Sequence, residues 1–134
     1  MTVGILIVSH NQIGTELINT ARQMLSSCPL PTKVLEIGAK DSPDKIRRMF
    51  ESELKGLDQG NGVLILTDMF GSTPSNIACA VSDRDDIRII AGLNLPMLIR
   101  VFNYPNLTLD ELEKKAISGG IEGIVSCHHT GYSL

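Results

Sequence analysis

The chain has 134 residues, 43% of them hydrophobic, and carries a formal charge of −3. That length supports one compact domain and falls short of two ordinary ones, so a single domain is expected over residues 1–134. No tract has the length and apolarity of a membrane span. The twelve basic residues form no dense cluster of the kind that favours nucleic acid, and Cys28, Cys79 and Cys127 are dispersed, odd in number and without zinc-ligand spacing, as suits thiols in a reducing, cytoplasmic compartment.

Residues 3–8 form an unbroken apolar run rich in β-branched side chains, the pattern of a strand covered on both faces. No basic segment precedes it and polar residues follow at once, so it does not read as a signal peptide. Ser9-His10-Asn11 breaks the run. Ile13, Leu17, Ala21, Met24 and Leu25 then recur at helical spacing and predict a helix to about Ser26, with Pro29 and Pro31 marking its exit. A short second strand is predicted over residues 34–37. Ser42-Pro43-Asp44 is a helix start, with a capping hydroxyl, proline at the first helical position and an acid in the first turn. Ile46, Met49, Phe50, Leu54 and Leu57 give that helix its buried stripe, and Gly60-Asn61-Gly62 ends the unit.

Residues 63–67 are the strongest strand signal after the first. Residues 68–74 form a loop running into a third helix, with Pro74 in its first turn and Ile77, Ala78 and Val81 facing inward. A fourth strand is predicted over residues 87–91 and a short helix from Leu95 to about Phe102. Thr108 caps a last helix that Gly119-Gly120 is expected to interrupt. Alternation of strand and helix with short connections predicts an α/β fold, a three-layer sandwich with an open, mostly parallel central sheet and helices on both faces. Ligands of such sheets sit beyond the carboxyl ends of the strands. His10 and Asp68 follow the two strongest strands and therefore fall on that rim.

A histidine just past a buried strand is held by the scaffold yet meets solvent, and one ring nitrogen can act as a nucleophile if the other holds the proton. Asp68, at the same edge of a neighbouring strand, can orient the ring by accepting the Nδ1 hydrogen. Phosphate chemistry also needs donors for the nonbridging oxygens. The Gly71-Ser72-Thr73 turn before a helix offers amides and two hydroxyls; Ser72 is the better oxygen contact, while Thr73 can equally cap the helix. Neither a Gly-x-x-x-x-Gly-Lys-Ser/Thr loop nor a Gly-x-Gly-x-x-Gly turn is present, so the sequence gives no reason to expect ATP, a dinucleotide or any other cofactor. Met69 and Phe70 either form an exposed apolar rim for a partner or anchor the loop in the core. A hydrolase lacks a nucleophile–base–acid set, because Cys79 lies in a helix without a histidine partner. His128-His129 in the tail have no accompanying acidic ligand, so no metal is expected. Asp83, Asp85 and Asp86 read as a solvated turn at the opposite rim, and Arg100, Lys114 and Lys115 either receive an acidic partner or are ordinary helix charges.

These residues resemble a known family. Val8-Ser9-His10, the segment Thr67-Asp68-Met69-Phe70-Gly71-Ser72-Thr73-Pro74-Ser75-Asn76, and Gly92-Leu93-Asn94-Leu95-Pro96-Met97-Leu98 look like the mannose/fructose/sorbose-type IIA domain of the bacterial sugar phosphotransferase system. The resemblance spans essentially the whole chain. It implies that His10 takes phosphate from the phosphorylated carrier protein HPr, that Asp68 supports the histidine and that Ser72 belongs to the phosphate-binding loop. It also implies a homodimer, with a separate IIB protein or a regulatory target as acceptor and a membrane reached only through transporter components. Asn11 departs from the glycine frequent after the histidine and is expected to touch a partner. No IIB domain or linker is expected after Leu134. The dihydroxyacetone-kinase phosphotransferase subunit and a non-catalytic regulatory module are the alternatives.

Overall fold

The two uninterrupted apolar runs become the two central strands. The computed structural model describes residues 2–127. The chain runs β1 (Gly4–His10), α1 (Ile13–Met24), β2 (Thr32–Ile37), α2 (Pro43–Leu57), β3 (Val63–Thr67), α3 (Thr73–Cys79), β4 (Ile87–Ala91), α4 (Leu95–Phe102) and α5 (Leu109–Glu122). The sheet order is β2-β1-β3-β4, and every pairing is parallel. The α/β three-layer expectation is met, with the described strands wholly parallel.

Side chains of a strand alternate between faces, so β1 and β3 each feed two cores. Ile5, Ile7, Leu64 and Leu66 pack in one cluster with Ile18 of α1, Leu98 and Phe102 of α4, and Leu112 of α5. Leu6, Val8, Val63 and Ile65 pack in the other with Ile46, Phe50 and Leu54 of α2 and Ala78 of α3. Burial on both faces is why these strands carry no polar alternation. From β1 the chain first steps outward to β2, then returns to place β3 on β1's other side. The strand order therefore reverses between β1 and β3, and a crevice opens beyond their carboxyl ends.

Four boundaries differ from the sequence reading. β1 continues through Ser9 and His10, because these pair in register with Glu36 and Ile37 of β2. β2 itself starts at Thr32. α1 stops at Met24, where Leu25 turns extended. The expected break at Gly119-Gly120 does not occur, and α5 runs through both glycines. Their role is proximity: a Cβ on Gly119 would lie 2.5 Å from Arg100 Cβ, and one on Gly120 2.9 Å from Met97 Cε. The glycines let α5 lie close against α4.

Gly56 in α2 has nothing within 4 Å of an added Cβ. Two substitutions of the same kind should thus have opposite signs. Gly56→Ala should stabilise by about 0.5–1 kcal/mol through helix propensity. Gly119→Ala should destabilise by about 1–3 kcal/mol through overpacking. Urea unfolding of the two variants checks this, and a shared sign would refute the account of the α4–α5 seam.

Candidate functional site

His10 closes β1 and Asp68 is the first residue past β3, so the two meet at the point where the strand order reverses. The His10 main-chain N–H donates to Asp68 Oδ2 at 3.0 Å, and His10 Nδ1 lies 2.8 Å from the same oxygen. An ionised carboxylate only accepts, so the hydrogen between them is on Nδ1, and in the neutral ring Nε2 keeps its lone pair. The His10 side chain is 40% exposed and that of Asp68 only 11%. Burial opposes ionisation of Asp68, but the His10 amide, the ring hydrogen and the positive charge the ring can carry outweigh it. The carboxyl therefore lies below its ordinary value of 3.8. The other oxygen, Oδ1, is buried with no hydrogen-bond partner among the described residues, as is the hydroxyl of Thr67, its neighbour in sequence.

The backbone around His10 is tightly specified. Asn11 has φ of 48°, the left-handed region that asparagine tolerates better than most side chains. Its N–H donates to the Ile37 carbonyl at 2.9 Å, and its side chain is exposed. Gln12, at the cap position of α1, makes no side-chain cap bond. Ser9 supplies it instead from inside the strand, accepting the Gly14 N–H at 2.9 Å. The sequence reading passed over this pair; a serine before the histidine and a glycine five residues later were its only signals.

Past Asp68, the loop turns at Gly71, whose φ of 81° demands glycine although an added Cβ would meet nothing. The cap of α3 is Ser72, expected from the sequence as an oxygen contact, and not Thr73. Its Oγ accepts from the Ser75 N–H at 3.3 Å and donates to the Met69 carbonyl at 2.6 Å. Ser72 is consequently 8% exposed and committed on both sides. Thr73 is the first helical residue, exposed, and its hydroxyl makes no hydrogen bond among the described residues. Met69 and Phe70 are 60% and 79% exposed, so neither anchors the loop in the core.

The remaining candidates lie elsewhere. Arg100 is held by Glu122 at 2.6 Å and Ser118 at 3.2 Å, and the Lys115 ammonium sits 4.5 Å above the Tyr104 ring. Asp86 pairs with Arg84 in the turn before β4, at the opposite end of the sheet from His10. Cys79 is the exposed last residue of α3, Cys28 is half-buried and Cys127 exposed. His128 and His129 fall outside the described residues. No helix among the described residues is long and apolar enough to cross a membrane.

Known proteins are similar to this chain. The mannose-specific EIIAB component of the phosphotransferase system of Escherichia coli K12 is 30% identical over 127 residues, covering 92% of this chain and 39% of that protein. The chain thus spans about two-fifths of the curated relatives it matches first. A phosphotransferase system component EIIA of Streptococcus agalactiae superposes with a TM-score of 0.79 at 26% identity, covering 92% of this chain and 96% of that one. The mannose/sorbose-specific IIA subunit of Enterococcus faecalis reaches a TM-score of 0.85 over 99% of this chain and 100% of that one; at 23% identity it speaks for the fold alone. The profile of PTS system fructose IIA components matches residues 4–117, and the chain belongs to that family, EIIA-man.

Proposed function

We propose that the chain is a phosphohistidine carrier acting in the cytoplasm: His10 takes a phosphoryl group from phosphorylated HPr and passes it to a IIB component. The observation that carries this reading is the 2.8 Å contact between His10 Nδ1 and Asp68 Oδ2, which in the neutral form leaves Nε2 free on a half-exposed ring. In the forward step the Nε2 lone pair attacks phosphorus, the N–P bond of the donor histidine breaks, and its electron pair returns to the donor ring. The Asp68 carboxylate holds the Nδ1 hydrogen throughout and offsets the positive charge that the His10 ring gains on acquiring the phosphoryl group. In the second transfer, His10 Nε2 is the leaving group.

The nonbridging oxygens are assigned to the turn at Gly71, Ser72 and Thr73. The exposed Thr73 hydroxyl supports this more directly than Ser72, whose hydroxyl would have to release the Met69 carbonyl. Met69, Phe70 and Asn11 are assigned to partner docking, because two histidines exchanging phosphate must exclude water from a labile N–P bond. Their exposure on the same rim as His10 supports that assignment. A homodimer is part of the proposal and is tested by sedimentation of the intact chain.

Incubation with phosphoenolpyruvate, enzyme I and HPr should add one acid-labile group of about 80 Da to the wild type and none to His10→Ala. An unlabelled wild type beside a labelled control IIA protein would instead favour a regulatory module that does not carry phosphate. Asp68→Asn should slow transfer by roughly two orders of magnitude with little change in KM for HPr, since the tautomer is disturbed and the docking surface is not. Equal losses in both would assign Asp68 to docking.

Asp68 should also shape acid stability. Its lowered folded value means that the ionised pair stabilises the fold above the ordinary 3.8, and that this contribution is lost as pH falls through the lowered value. The urea-midpoint advantage of wild type over Asp68→Asn should accordingly shrink between about pH 5 and pH 3. A gap independent of pH would refute the linkage.

A further inference from the structure

We infer that Ser9 is a positioning residue for His10, acting by closing the turn that presents the imidazole to Asp68; for its kinetic consequence this rests on the carrier reading above. Ser9 is fully buried, and a strand interior between two apolar cores is a costly place for a hydroxyl without a use. Its Oγ accepts the N–H of Gly14, the second residue of α1, at 2.9 Å. That is the bond an ordinary helix cap would make, yet the residue at the cap position, Gln12, makes none. The cap has been moved three residues back, into β1, and His10, Asn11, Gln12 and Ile13 are enclosed between its two ends.

The enclosure is close-fitting. A Cβ on Gly14 would stand 2.6 Å from Ser9 Oγ and 2.5 Å from Ile7 Cγ2, so glycine is what lets the helix amide reach the serine. Within the enclosed turn, successive amides are pinned in different directions. The His10 N–H goes to Asp68 Oδ2 and the Asn11 N–H to the Ile37 carbonyl, and Asn11 takes the left-handed conformation that leads the chain round to Gln12. The main chain and ring of His10 must approach one carboxylate oxygen together, at 3.0 and 2.8 Å. Such a two-point contact depends on the orientation of the His10 peptide, and Ser9 fixes the end of the turn that neither Asp68 nor Ile37 holds. Loosening that end lets the ring leave Asp68 and lets the proton move from Nδ1 to Nε2, which blocks the nucleophile.

The test compares Ser9→Ala with Ser9→Thr, which keeps a hydroxyl on a residue suited to strands, and with Ser42→Ala. The last removes the Ser42 hydroxyl that accepts the Lys45 N–H and caps a different helix, α2. Nitrogen-15 NMR of the histidine rings in the free proteins reads the His10 tautomer without any phosphotransfer partner. Wild type, Ser9→Thr and Ser42→Ala should hold the proton on Nδ1, and Ser9→Ala should show a mixture of both tautomers. Transfer from phosphorylated HPr should slow roughly tenfold or more in Ser9→Ala at unchanged KM. An unchanged tautomer in Ser9→Ala, an equal shift in Ser42→Ala, or a loss in Ser9→Thr as deep as in Ser9→Ala would each overturn the inference. Absence of phosphorylation in the wild type would instead remove the carrier reading, and the tautomer comparison would still decide the role of Ser9.

Discussion

One carboxylate oxygen holds the site together. Asp68 Oδ2 receives the main-chain and ring hydrogens of His10, joining the end of one central strand to the start of the loop after the other. Everything beneath it serves to make that meeting possible. β1 and β3 must be neighbours, in parallel register with Val8 opposite Thr67, for the two residues to emerge side by side. The strands can be central only because their residues are apolar on both faces. The long hydrophobic runs and the single polar pair at their ends are one design seen at two scales.

The pair is also asymmetric. Oδ2 takes two donors, whereas Oδ1, buried, has no hydrogen-bond partner among the described residues. A half-satisfied buried carboxylate has unspent demand for positive charge, which a neutral imidazole meets only in part and a cationic one would meet more fully. Sites that carry chemistry often break a rule that the rest of the fold obeys.

How much of this was readable in the sequence follows from the range of the forces involved. The strands, the helix starts at Pro43 and Pro74 and the placing of His10 and Asp68 on one rim rest on local pattern and turn chemistry, and the structure agrees with them. The errors arose where a distant neighbour decides. Gly119-Gly120 reads locally as a helix break, and only the Arg100 and Met97 side chains of α4, packed against it, explain why the helix needs glycines and continues. Local pattern offers Thr73 as a cap and Ser72 as an oxygen contact; the Met69 carbonyl and the Ser75 amide make Ser72 the cap instead. Ser9 was passed over because a polar residue at the end of an apolar run reads as the end of the strand, whereas register with Glu36 keeps it inside. Whether Met69 and Phe70 faced the core or solvent depended on the same long-range packing.

The parallel topology has a kinetic consequence. His10 and Asp68 are 58 residues apart in sequence, and β1 gains β3 as a neighbour only after the intervening α1–β2–α2 segment has been looped out. Closing so long a loop costs chain entropy before any contact rewards it, so folding is slow relative to a helical bundle of the same size. The contact between them can form only once β1 and β3 have paired. The His10 amide hydrogen, donated to Asp68 where the two strands end, is expected to exchange with solvent when those strands part and not with the motion of a loop. A position on the exposed rim would then be as protected as the strands beneath it.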